Sequence, residues 1–168
     1  GYVWMTGRAK DLIIRGGHNI DPGVIEETLA RHPDVELAAA VGQPDAYAGE
    51  VPVAYVTLRA GADISLEALE AYAREAVAER PAAPKAVRVL DVMPVTAVGK
   101  IFKPALREDA ALHAARAALD RAGVAGVQMT AATDKQRGLV IHVRGLSNEN
   151  APAAAGALDA FSFAWERA

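Results

Sequence analysis

Cysteine is absent from all 168 residues. Disulfides, thiolate metal sites and a cysteine nucleophile are thereby excluded together. Aromatic side chains make up only 5% of the chain, so any core has to be built from aliphatics and alanine. No uninterrupted apolar run approaches the roughly 18–20 residues needed to cross a bilayer, and the first residues carry no signal-peptide pattern. Neither sign of charge dominates: 18 Lys and Arg stand against 21 Asp and Glu, a net charge of −3. That balance offers no bulk attraction to nucleic acid or to an anionic membrane. The histidines (18, 32, 113 and 142) lack metal-ligand spacing, so no metal is assigned to the chain. These absences fit a cytoplasmic protein with no membrane span.

What is present alternates between strand-like and helix-like runs. Tyr2–Thr6 and Asp11–Ile14 read as an N-terminal β-hairpin across a Gly-Arg-Ala-Lys turn. Asp21-Pro22 supplies an N-cap and a first-turn proline for a helix of about ten residues. Residues 36–42 and 51–58 read as strands. Ser65 caps a second helix with Leu66, Leu69, Ala73 and Val77 on one stripe. Residues 87–92 read as a third core strand, and a long helix is expected from Pro104 to Ala122. The fold class expected is α+β: a small mixed sheet flanked by helices. After Gly123, residues 127–130 and 139–143 read as an extra hairpin, followed by an alanine-rich helix ending near Trp165. The expected division is 1–122 and an appendage, 123–168. The chain opens Gly-Tyr-Val-Trp inside a strand-like run, as a piece of a longer polypeptide would.

Two segments carry the chemistry. The first is Gly7-Arg8-Ala9-Lys10-Asp11, Ile13-Ile14-Arg15, Gly16-Gly17-His18-Asn19-Ile20-Asp21-Pro22, then Ile25-Glu26. The second is Pro94-Val95-Thr96-Ala97-Val98-Gly99-Lys100-Ile101-Phe102-Lys103-Pro104-Ala105-Leu106-Arg107. A lysine directly after a glycine on an apolar-flanked turn is a compact cation where backbone can approach a ligand. The i,i+4 pair Lys103 and Arg107 reads as a solvated positive helix face, with contact to another domain or to phosphates as the alternative. Glu26 reads as structural, near the N-terminal end of its helix where its charge suits the dipole, and Asn19 reads as a turn or capping residue.

Taken together and in this order, the two segments resemble the C-terminal domain of the adenylate-forming acyl-CoA synthetase superfamily over roughly residues 1–110. The resemblance implies a two-step ligase in which a carboxylic acid and ATP give an acyl-adenylate, and CoA then displaces AMP. It implies that Lys100 is the catalytic adenylation lysine, stabilising charge gathered at the α-phosphate. Arg8 falls at the position that contacts the ATP ribose, and Lys10 at the hinge about which the domain rotates between steps. Gly16 and Gly17 fall where the CoA pantetheine arm passes. The chain offers no phosphate-cradling P-loop, and the resemblance assigns ATP and any Mg²⁺ to the partner, the chain's own N-terminal adenylation domain. A fragment without that domain is expected to be inactive. Lys100 also matches the position that protein lysine acetyltransferases modify in this superfamily, which would remove its charge.

Two alternatives stand beside this reading. One is another adenylate-former, such as a fatty-acyl-AMP ligase, a carrier-protein-loading adenylation domain or a luciferase-like oxidase. The other makes residues 123–168 an interaction module. Typical domains of the family end soon after the second motif, so this tail is a departure.

Overall fold

The computed structural model describes residues 11–168, and the Tyr2–Thr6 strand expected from sequence lies outside them. The first sheet is mixed and five-stranded. Strands β1 (Ile13–Arg15) and β2 (His18–Ile20) form a hairpin, followed by helix α1 (Pro22–Ala30). Of the two long strands, β3 (Val35–Asp45) and β4 (Gly49–Leu58), β4 is central and β3 ends the strand order. Helix α2 (Leu66–Ala76), a 3₁₀ turn (Arg80–Ala82) and strand β5 (Val87–Val89) come next. β4 takes β3 antiparallel along one edge; β1 and the parallel β5 share the other.

Local chemistry sets the element ends. The Asp21 carboxylate accepts from Gly23 N (2.9 Å) and Pro22 occupies the first turn of α1. Ser65 Oγ accepts from Ala68 N at the start of α2. The tight β3–β4 turn is closed by Asp45, whose Oδ1 accepts from Ala48 N (2.9 Å) and Tyr47 N (3.0 Å). Those backbone N–H groups, Ala48's first, hold its carboxyl below the usual range.

β4 reads as a continuous apolar run because it is covered on both faces. Ala54 and Val56 join Ile25, Leu29, Leu69 and Val87 beneath α1 and α2. Val53 and Tyr55 join Ala39, Val41, Met93, Leu106 and Ala110 on the opposite face, beneath helix α3 (Lys103–Arg121).

Tyr55, wholly buried, organises the polar part of that face. Its hydroxyl donates to Asp109 Oδ2 (2.7 Å) and accepts from Arg88 (3.1 Å), which also donates to Gln43 (2.6 Å). Burial, and then the Asp109 bond, push the Tyr55 hydroxyl far above the ordinary phenol range. Tyr55→Phe removes one partner from each of Arg88 and Asp109, so it is expected to cost about 1 kcal/mol. A thermal melt of the purified chain checks this; an unchanged Tm would mean the network is dispensable.

The second sheet is three-stranded, with β7 (Gly138–Arg144) between β6 (Gln128–Asp134) and β8 (Ala164–Arg167). β6 and β7 form the hairpin expected from sequence, turning over residues 135–137. The C-terminal element differs from expectation. Helix α4 spans only Ala151–Leu158, and the segment expected to continue it forms β8, parallel to β7. Phe163 is buried and stacks on Phe161, and the Trp165 indole N–H donates to Asp159 (2.7 Å). Packing of these aromatics outweighs the helical tendency of the alanine run.

α3 serves both sheets. Leu106 and Ala110 pack on the first sheet, while Ala111, Ala115, Ala118 and Leu119 pack with Val127, with Ile141 and Val143 of β7, and with Ala154 and Leu158 of α4.

Candidate functional site

Lys100 sits on a small turn closed by its own backbone. Thr96 N donates to the Lys100 carbonyl (2.7 Å), and Gly99 N to the Thr96 carbonyl (2.8 Å). Lys100 N reaches Thr96 Oγ1 (3.2 Å). Val95 pairs with Ile101, and Phe102 N donates to the Pro94 carbonyl (2.8 Å). Gly99 has a φ of +76°, a conformation that glycine adopts without the Cβ penalty of other residues. The backbone is thus fixed while the Lys100 side chain is exposed. Its surroundings are exposed too, and apolar: Val92 80%, Val98 78%, Val95 51% and Phe102 44%.

Directly after this turn, α3 is pinned at two points. Lys103 Nζ lies 2.8 Å from Glu26 Oε1, which also accepts from Ala40 N on β3 (2.8 Å). Arg107 donates to Asp11 Oδ1 at 2.6 Å, across 96 residues of sequence. The solvated-face expectation for Lys103 and Arg107 is therefore corrected: both cations are half-buried and cross-link the fold. Glu26 is structural, as expected, but through contacts and not through the helix dipole. It lies beyond the first turn of α1 and ties that helix to β3 and α3. Nothing local in the sequence signals these pairs, because each partner comes from a distant element.

Gly16 and Gly17 are the turn of the β1–β2 hairpin, with φ of +54° and +85°. A Cβ built at either would meet no atom within 4 Å. Within this domain, then, the requirement for glycine is the left-handed backbone, not a shortage of room. Asn19 is an exposed strand residue opposite Ile14, not a cap. Beside the turn, Arg15, His18 and Arg80 line a hollow of about 360 Å³ with Gly16, Ala48 and Pro81. Arg15 is aimed by a bond to the Pro81 carbonyl (2.7 Å), and Gly16 N donates to Ala48 (2.8 Å). Lys100 and the glycine turn are carried by different elements. Arg8 and Lys10 lie outside the described residues.

Among the described residues, no group of three or more His, Asp or Glu could hold a metal ion, and no helix is long and apolar enough to cross a membrane.

Residues 24–100 match the family model for the AMP-binding enzyme C-terminal domain. Marinolic acid–CoA ligase of Pseudoalteromonas sp. (strain SANK 73390) is 57% identical over 109 residues, covering 65% of this chain and 17% of that protein. The long-chain-fatty-acid–CoA ligase of Bacillus subtilis (strain 168) is 40% identical over 109 residues, 65% of this chain and 19% of that one. Among solved structures, apo MatB from Rhodopseudomonas palustris aligns with a TM-score of 0.57 at 34% identity, covering 61% of this chain and 20% of MatB. The Mycobacterium tuberculosis fatty acyl CoA synthetase gives 0.56 at 34%, covering 64% and 21%. The chain spans about a fifth of the length of these relatives. Over residues 24–100 the chain is thus similar to the AMP-binding enzyme C-terminal domain, and the relatives that match about two thirds of it are CoA ligases.

Proposed function

We propose that this chain is the swinging C-terminal domain of an ATP-dependent acyl-CoA synthetase, with residues 1–122 forming that domain and 123–168 packed onto it. Lys100 delivers the adenylation cation, Arg8 meets the ATP ribose and Lys10 is the hinge. Mg²⁺ arrives with ATP on the large domain, and the isolated fragment is inactive.

One observation carries the reading. The Lys100 turn is locked internally, yet the lysine and its apolar neighbours Val95, Val98 and Phe102 face outward. An exposed apolar rim marks a docking surface. A cation carried on a fixed backbone beside such a rim serves chemistry on a second body. During attack of the carboxylate on the α-phosphate, negative charge gathers on phosphorus-bound oxygens, and a positioned ammonium stabilises it.

CoA is favoured as acceptor by the cationic hollow beside Gly16, since Arg15, His18 and Arg80 suit an anionic nucleotide. The reading is tested on the full-length parent by following carboxylate-dependent ATP–pyrophosphate exchange and CoA thioester formation separately. Acyl-AMP that accumulates without any thioester would favour the acyl-AMP ligase alternative.

Gly17→Leu sharpens the test. It is expected to slow thioester formation from supplied acyl-AMP about tenfold or more, one 1.4 kcal/mol step at least, with exchange nearly unchanged. Equal loss of both half-reactions would mean that only the hairpin had been damaged.

A further inference from the structure

One glycine of the first sheet is needed for room and not for backbone freedom. Gly42 of β3 does not adopt the left-handed conformation of the turn glycines. A Cβ built on it would lie 2.5 Å from Glu50 Cδ and 2.6 and 2.7 Å from the two carboxylate oxygens. The Glu50 side chain of β4 thus lies across Gly42, in space that any other residue would fill. No ion pair among the described residues involves Glu50. Its carboxylate accepts from Ile14 N of β1, at 2.9 Å.

That bond stands where a ladder bond is expected. Among the described residues β1 meets β4 in one register pair, Arg15 with Gly49, beside which Gly16 N donates to the Ala48 carbonyl. In a regular antiparallel ladder the next pair, Ile14 and Glu50, would exchange both backbone bonds. Here the pairing stops, and the Glu50 side chain takes the Ile14 N–H. Other contacts hold the hairpin elsewhere. Ile13 and Ile20 bury its inner face in the core, while Arg15 is tied to Pro81 and Gly16 to Ala48 at the turn end. What these leave to Glu50 is the separation of β1 from β4 beyond the Arg15–Gly49 pair.

We propose that Glu50, seated over Gly42, is a positioning residue for the CoA step. By holding Ile14 N it sets the lateral position of β1, and with it the Gly16–Gly17 turn and the Arg15 side of the cationic hollow. The proposal rests on reading that turn and hollow as the CoA passage. It makes reach, not charge, the property that matters at position 50.

The test uses the full-length parent. Glu50→Gln keeps an acceptor oxygen at the same reach without the charge, Glu50→Asp keeps the charge one methylene short, and Glu50→Ala removes both. Gly42→Ala evicts the carboxylate and leaves residue 50 intact. The atoms it displaces are the free end of a flexible side chain, and alanine is the better strand residue, so its Tm should stay near the parent's. Glu50→Ala and Gly42→Ala are expected to raise the KM for CoA in thioester formation from supplied acyl-AMP about tenfold, the size of one hydrogen bond to a charged group. The kcat of that step and ATP–pyrophosphate exchange should be nearly unchanged, as loss of uniform binding requires. Glu50→Asp should resemble Glu50→Ala, and Glu50→Gln the parent. The double variant Gly42→Ala/Glu50→Ala should be no worse than either single one, because both break one contact. Deuterium uptake over residues 13–20 should quicken in Glu50→Ala, Glu50→Asp and Gly42→Ala, which reads the strand contact without CoA.

A parallel fall of both half-reactions that tracks a lowered Tm would make Glu50 a structural residue and overturn the proposal. So would an active Glu50→Asp beside a poor Glu50→Gln, which assigns the effect to charge, or unchanged deuterium uptake in Gly42→Ala. Gly17→Leu is the control. If thioester formation ignores Gly17→Leu, the CoA reading fails and takes the proposal with it. If it responds to Gly17→Leu but ignores Glu50→Ala and Gly42→Ala, only the proposal fails.

Discussion

Lys100→Ala in the full-length parent is expected to lower carboxylate-dependent ATP–pyrophosphate exchange by about 100- to 1,000-fold, the usual cost of removing one preorganised charge-stabilising group. Thioester formation from supplied acyl-AMP should survive, because that step no longer gathers charge on the α-phosphate. Folding should be untouched. The side chain is exposed, and the turn is closed by the backbone of residues 94–102 with the Thr96 hydroxyl. Enzymatic acetylation of Lys100, located by mass spectrometry, should reproduce the alanine phenotype, since it removes the same charge. Survival of both half-reactions in Lys100→Ala would leave the domain as a binding module.

Truncation after Ala122 is expected to have an effect of similar size on stability. α3 would lose its second partner, exposing Ala111, Ala115, Ala118 and Leu119, all of them buried now. Burial of Leu119 contributes roughly 2 kcal/mol, and the three alanines about as much again. Against a total of about 5–15 kcal/mol for a domain, the shortened chain should aggregate or melt far below the parent. Circular dichroism melts and size-exclusion chromatography decide it. A shortened chain that keeps its Tm and loses only self-association would make 123–168 an interaction module instead.

Sequence alone reached the parts of the fold whose causes are local. Asp21-Pro22 and Ser65 mark helix starts because their side chains and ring act within a turn of the backbone they cap. The β6–β7 hairpin was legible from its β-branched flanks and polar turn. Strand β8 was not, since Ala164–Arg167 is a strand only by virtue of lying beside β7. Its own four residues, Ala-Trp-Glu-Arg, carry no strand pattern. The cationic pair Lys103 and Arg107 failed for the same reason: i,i+4 spacing tells which face they share, and says nothing of Glu26 or Asp11. The position of Lys100 on an exposed glycine turn was legible, but the Thr96 hydroxyl bond and the apolar rim around it became visible only in three dimensions.

The self-closed Lys100 turn also bears on the entropy of each catalytic cycle. A loop that must order around its substrate loses conformational freedom at every turnover, and that loss is subtracted from binding. Here the torsions of residues 94–102 are already restrained by bonds made within the fold. What remains to be ordered when the lysine engages is its own side chain, about 2 kcal/mol of rotamer freedom at most, together with the rigid-body approach of the domain.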